Sequence, residues 1–84
     1  MEPACQKPGV VGLKQVLRAL DAGDLSAVCL ADDAEEHIRR RVIERCEECG
    51  VQIQSIESMR ALGNLAGIDV GAAAAGYLHE EASR

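Results

Sequence analysis

Aromatic side chains are nearly absent from this sequence: Trp and Phe do not occur, and the one aromatic residue is Tyr77. The core must therefore be built from Val, Ile, Leu, Ala and Met, and base stacking on aromatic platforms is all but excluded as a route to nucleic-acid binding. No apolar run approaches the ~20 residues that span a bilayer. The start, Met1-Glu2-Pro3-Ala4-Cys5, has no basic n-region and no apolar h-region, so no secretory signal is predicted; a cytoplasmic location with reduced cysteines is expected. The Gly-x-Ser-x-Gly elbow, the Walker-type loop and the dinucleotide fingerprint are missing too. Basic charge is in short supply: 9 Lys+Arg stand against 14 Asp+Glu, a net charge of −5. That balance argues against an unspecific basic coat for nucleic acid, but a local basic site remains open if the charges are segregated.

What is present is a chain of 84 residues with 48% hydrophobic and 27% charged residues, the composition of one small globular domain. Residues 1–7 read as a loose lead, 8–79 as a single domain and 80–84 as a polar tail. Val10-Val11 between Gly9 and Gly12 suits a very short strand. Leu13, Val16, Leu17 and Leu20 fall at helical spacing, with Gly23 as the C-cap. The apolar run Ala27–Ala31 reads as a buried strand, and Asp32-Asp33 can cap a second helix whose stripe is Ile38, Val42, Cys46 and Cys49, closed by Gly50. Val51–Ile56 alternates as a strand, Ser58 is an N-cap for a helix to about Ala66, and Gly67 stops it. The stretch Val70–Leu78 is assigned as a last strand. The order strand, helix, strand, helix, strand, helix, strand predicts an α/β fold, an α/β/α sandwich with helices on both faces of one sheet.

Few residues offer chemistry. Cys46-Glu47-Glu48-Cys49 is a C-x-x-C, but it lies at the end of a helix, with two glutamates between the thiols, and both features raise thiol pKa. The pair reads better as small core residues, buried and unreactive, than as a redox couple. Cys5 and Cys29 do not complete a zinc ribbon, His37 and His79 are isolated, and Asp32-Asp33 with Glu35-Glu36 are better explained as caps than as cation ligands. No catalytic residue, metal or cofactor is therefore expected. Gly12-Leu13-Lys14-Gln15-Val16-Leu17-Arg18 is different. Gly12 stands at a strand-to-helix turn, so the N–H groups of the first helical turn point outward and can meet phosphate. Lys14 and Arg18 stack at i, i+4 with Gln15 beside them. Three basic residues and no acid lie between positions 7 and 18. This segment is either a phosphate-facing basic end or a solvated helix face that happens to lack acids.

A second segment weighs on that choice. Ile56-Glu57-Ser58-Met59-Arg60-Ala61-Leu62-Gly63-Asn64-Leu65-Ala66-Gly67-Ile68-Asp69-Val70-Gly71-Ala72-Ala73-Ala74 resembles the signature of the kink-turn-binding ribosomal protein family, the L-seven-Ae family. The pattern is a Ser-x-x-x-Leu-Gly-x-x-x-Gly helix, a short apolar loop and an Ala-rich strand. Gly12–Leu20 also resembles the family's first helix, where archaeal members read Gly-x-Asn-Glu-x-x-Lys and small bacterial members Gly-x-Lys-Gln-x-x-Lys; this chain is similar to the bacterial branch. The resemblance runs from about Val10 to Leu78. It implies a three-layer α/β/α sandwich around a four-stranded mixed sheet, and a non-enzymatic protein that binds kink-turn RNA, a bent duplex with tandem sheared G·A pairs. It also implies a ribonucleoprotein setting, with the ribosome as a further partner, no membrane, and a monomer.

The site residues implied by the resemblance are Gly12, Lys14, Gln15, Arg18, Arg60, Ile68, Asp69, Val70 and Gly71. Lys14 and Gln15 would meet guanine edges and Arg18 a phosphate or base, while Ile68 and Val70, in an exposed loop, would cover a flipped-out nucleotide. Arg18 stands where the family has Lys, which keeps the charge and adds a planar fork. The acidic balance is unusual for the family. Its acids fall mostly elsewhere, with Glu35, Glu36, Glu44, Glu47 and Glu48 in the second helix and Glu80 and Glu81 in the tail. Two other classes of function stand beside RNA binding: a protein-interaction module on the same fold with little RNA affinity, whose acidic surface suits a basic partner, and a thiol-active protein using Cys46 and Cys49.

Overall fold

The computed structural model describes residues 8–79, so the lead over 1–7 and the tail over 80–84 lie outside the described residues. Seven elements alternate: β1 (Val10–Val11), α1 (Leu13–Ala22), β2 (Leu25–Ala31), α2 (Glu36–Cys49), β3 (Gln52–Ile56), α3 (Met59–Ala66) and β4 (Ala74–Leu78). The strands make one mixed sheet in the order β1-β4-β2-β3. β4 runs antiparallel to β1 and β2, and β3 runs parallel to β2. Parallel neighbours need a crossover connection, and α2 supplies it.

Period-two alternation divides the core into two layers. Val28 and Leu30 of β2, with Ala74 of β4, point to one face, where they meet Val16 and Leu20 of α1 and Val42 and Cys46 of α2. Cys29, Ala31 and Ala75 point to the other face, where Leu62 of α3 and Ala72 close the second layer. The expected α/β/α sandwich is thus realised with two helices on one side and one on the other. Small residues at 72–75 in and before the central strand β4 let helix and sheet approach closely from both faces.

α1 and α2 both run opposite to β2 and lie side by side. Asp21 near the end of α1 forms an ion pair with Arg45 of α2, and Glu48 Oε1 lies 3.5 Å from Arg45 Nε. Cys49 Sγ donates to the Leu20 carbonyl at 3.4 Å. These contacts join the C-terminal halves of the two helices.

Three expectations are corrected. Asp32-Asp33 do not cap α2, which begins at Glu36 after Glu35 with no side-chain cap bond. Asp33 Oδ1 instead accepts the Met59 N–H at 2.7 Å, so it helps cap α3 together with Ser58, whose hydroxyl accepts from Ala61 N at 3.0 Å. Cys49 is exposed, unlike buried Cys46, because it borders an open concavity with Leu20, Leu25 and Val51. The last strand begins at Ala74, four residues after Val70, because the intervening backbone bonds to α3: Ile68 N–H donates to Gly63 O and Ala72 N–H to Met59 O, each at 3.0 Å.

Candidate nucleic-acid interface

Two segments converge at the end of the sheet where β4 begins. The first is the start of α1. Gly12 holds φ 104°, a backbone conformation that a side chain would strain, and so turns the chain sharply from β1 into the helix. The first turn contains no acid and no side-chain cap, which leaves its leading N–H groups directed outward. Lys14, Gln15 and Arg18 are all exposed there, while Val16 and Leu20 anchor the opposite face in the core. Among the described residues, Lys14 and Arg18 form no ion pair.

The second segment is the loop from Ile68 to Ala73. Gly12 N–H donates to Ala74 O at 2.9 Å, so the helix start and the loop's exit share one hydrogen bond. The loop is seated on α3. A Cβ added at Gly63 would stand 2.1 Å from Val70 O and 3.0 Å from Val70 C, an approach that only glycine permits. Gly71 also lies close to Met59, where an added Cβ would stand 3.2 Å from Met59 Cβ. The result is a carbonyl pressed onto the helix and a Val70 side chain turned out, 68% exposed. Asp69 and Gly71 are exposed as well. Ile68 is not: it is half-buried against the α3-side core, so the expectation of an exposed Ile68 is corrected. Arg60 is exposed in the first turn of α3 and follows Met59, to which the loop is bonded.

All nine expected site residues therefore belong to these two connected segments or to the helix turn that carries the loop. Gly63 was not among them, although a glycine inside a helix costs about 1 kcal/mol relative to Ala and so calls for a packing reason. Asp33 was missed as a support of α3, since its bond spans 26 residues in sequence and no local pattern signals it.

Cys46 and Cys49 lie away from this end, and Cys29 is buried beneath it, paired with Ala75. Burial, and then the neighbouring Cys49, push the Cys46 thiol up to about 11, and burial raises Cys29. A thiol so raised is not a nucleophile at neutral pH. A concavity of about 400 Å³ sits at the opposite end of the molecule, lined by Leu20, Asp21, Leu25, Cys49, Val51 and His79. Among the described residues no group of three or more His, Cys, Asp or Glu is gathered for a metal, and no helix is long and apolar enough to cross a membrane.

The model of the ribosomal protein L7Ae/L30e/S12e/Gadd45 family matches residues 5–84. The chain belongs to this family. Relatives within it include the RNA-binding protein TTE2299 of Caldanaerobacter subterraneus subsp. tengcongensis, 45% identical over 75 residues, covering 89% of this chain and 92% of that protein. The RNA-binding protein YbxF of Geobacillus stearothermophilus is 39% identical over 69 residues, covering 82% of this chain and 84% of that one. Among solved structures, a 15.5kD RNA binding protein of Giardia lamblia superposes with a TM-score of 0.77 at 27% identity, over 86% of this chain and 61% of its own. The L7Ae-family fold is therefore shared.

Proposed function

We propose that this protein binds kink-turn RNA without catalysing a reaction, using the start of α1 and the loop before β4 as one surface. The observation that carries the reading is the Gly12 N–H to Ala74 O bond, which holds a basic, acid-free helix start beside a loop with an outward Val70. Membership of a family whose relatives are named RNA-binding proteins supports it.

The division of labour follows from donor chemistry. A kink-turn opens a groove at its sheared G·A pairs, which admits a helix end. The Lys14 ammonium donates to guanine O6 or N7, and Gln15 both donates and accepts on a neighbouring edge. Arg18, one turn further, donates its fork to a phosphate. Arg60 supplies a second cation beside the loop. Val70 covers an unstacked nucleotide by apolar contact in place of the aromatic platform that the composition denies, and Ile68 anchors the loop from below. Gly12, Asp69 and Gly71 shape the backbone on either side. The protein acts as a monomer in the cytoplasm, with ribosomal RNA among the targets that suit it.

The deciding experiment is a titration against two RNAs of equal length, one with the tandem G·A pairs and one in which they are replaced by Watson–Crick pairs. Saturable binding to the first at concentrations that leave the second free is expected. Equal binding to both, or to neither, overturns the reading, and binding to neither favours the protein-interaction alternative.

A further inference from the structure

Among the described residues the ion pairs of α2 leave two arginines over, Arg39 and Arg41. Of its four arginines, Arg40 pairs with Glu36 at 2.9 Å, and Arg45 is held by Asp21 and Glu48. Arg39 is half-buried on the stripe of Ile43 and Cys46. Arg41 is exposed and has no ion pair among the described residues.

Its position is set by the packing of α1 on α2. Arg45 meets Asp21, and the helices run the same way. One turn back from Arg45 is Arg41, and one turn back from Asp21 are Leu17 and Arg18, so Arg41 lies within about one turn of Arg18 on the flank of α2 that faces α1. Lys14 lies a further turn towards the helix starts. Glu36 and Glu47 share a different stripe with Arg40, and Glu44, three residues on from Arg41, forms no ion pair with it. Three cations, Lys14, Arg18 and Arg41, therefore line the upper part of the α1–α2 seam, and among the described residues no carboxylate is paired to any of them. The same seam is neutralised lower down by the Arg45 cluster. Like charges gathered without a counterion are held at a cost, which an incoming polyanion removes.

We propose that Arg41 extends the RNA surface from α1 onto α2 by contacting a backbone phosphate of the duplex stem next to the kink. This rests on the kink-turn reading above. A phosphate contact carries no base information, so its signature differs from that of Lys14.

The test compares wild type with Arg41→Gln, Lys14→Ala and the control Arg40→Gln, on a generic kink-turn RNA across a series of salt concentrations. Arg41→Gln is expected to weaken binding roughly five-fold at low salt and to reduce the slope of log affinity against log salt by about 1, with Arg40→Gln unchanged in both. The Arg41 effect should be the same on RNAs that differ in stem sequence. Wild-type affinity and slope in Arg41→Gln, with Lys14→Ala impaired, refute the α2 contact while leaving the kink-turn reading intact. If wild type fails to discriminate the kink-turn, both fall. An equal loss in Arg41→Gln and Arg40→Gln would trace the effect to overall charge and also refute the contact. Thermal melts of the variants separate any loss from unfolding.

Discussion

Replacing Gly63 by Ala sets two effects of opposite sign against each other. In an exposed helix the substitution gains about 1 kcal/mol, because alanine has less backbone freedom to lose. Here the new methyl would be 2.1 Å from the Val70 carbonyl oxygen and 3.1 Å from Gly71 Cα, so the loop backbone must withdraw by about 1 Å before any normal contact is reached. Forcing a methyl into a filled site costs about 1–3 kcal/mol. The net expectation is a destabilisation of about 0–2 kcal/mol, read from urea unfolding. The larger consequence is for binding. The Ile68 N–H and Ala72 N–H bonds to α3 fix the loop at both ends, so a lifted Val70 carbonyl moves the Val70 side chain from its place. Loss of half of one buried valine contact is about 1 kcal/mol, or five- to ten-fold in affinity for a kink-turn RNA. Stability raised by the full propensity gain, with affinity unchanged, would refute the claim that the helix is notched to seat the loop.

Other expectations are as specific. Val70→Asp should leave unfolding nearly unchanged and weaken RNA binding, whereas Ile68→Asp should destabilise the fold, because that side chain is packed; equal unfolding midpoints for the two would contradict the division between them. Lys14→Ala and Gln15→Ala should each cost roughly 1–3 kcal/mol towards a kink-turn and little towards an unbent duplex, measured by titration. A thiol reagent at neutral pH should modify Cys49 and spare Cys46 until the protein unfolds. Since the Cys46 thiol rises from an ordinary 9.0 to about 11 on folding, its contribution to stability is complete below pH 9 and is lost as pH climbs through 11. The wild type should therefore lose stability relative to Cys46→Ala over that interval, and parallel curves would show that burial does not shift this group.

The sequence was most legible where a local rule decides. All three helices end in glycines named from the sequence, Gly23, Gly50 and Gly67, each in the left-handed conformation, and Ser58 caps α3 as read. Even the two-residue strand Val10–Val11 is present, because flanking glycines bound it. Errors arose where a partner distant in sequence intervenes. Asp33 looked like a cap for the helix that follows it, but a free N–H at Met59 was nearer in space. Cys49 continued an apolar stripe whose lower end opens onto the concavity beside Leu20 and Val51. Val70–Ala73 had the composition of strand, yet the notch at Gly63 takes that backbone first. For the site, Lys14, Gln15 and Arg18 could be read from a helix start without acids. Arg41 could not, because its relation to Arg18 exists only once two helices lie side by side.

The shared hydrogen bond at Gly12 has a consequence for how the surface holds together. β1 is two residues long and sits at an edge, secured by the pairing of Val10 with Gly76 and Val11 with Ala75. Short edge pairings are among the first parts of a protein to open transiently. When this one opens, the start of α1 loses its tie to the loop, so the surface comes apart while both core layers stay closed. The Gly12 amide proton is thus a single-atom reporter of assembly: its exchange with solvent counts the moments at which the two halves are separated. A ligand that spans both halves must close that strand to bind, and in doing so it acts as a splint on the weakest pairing of the sheet.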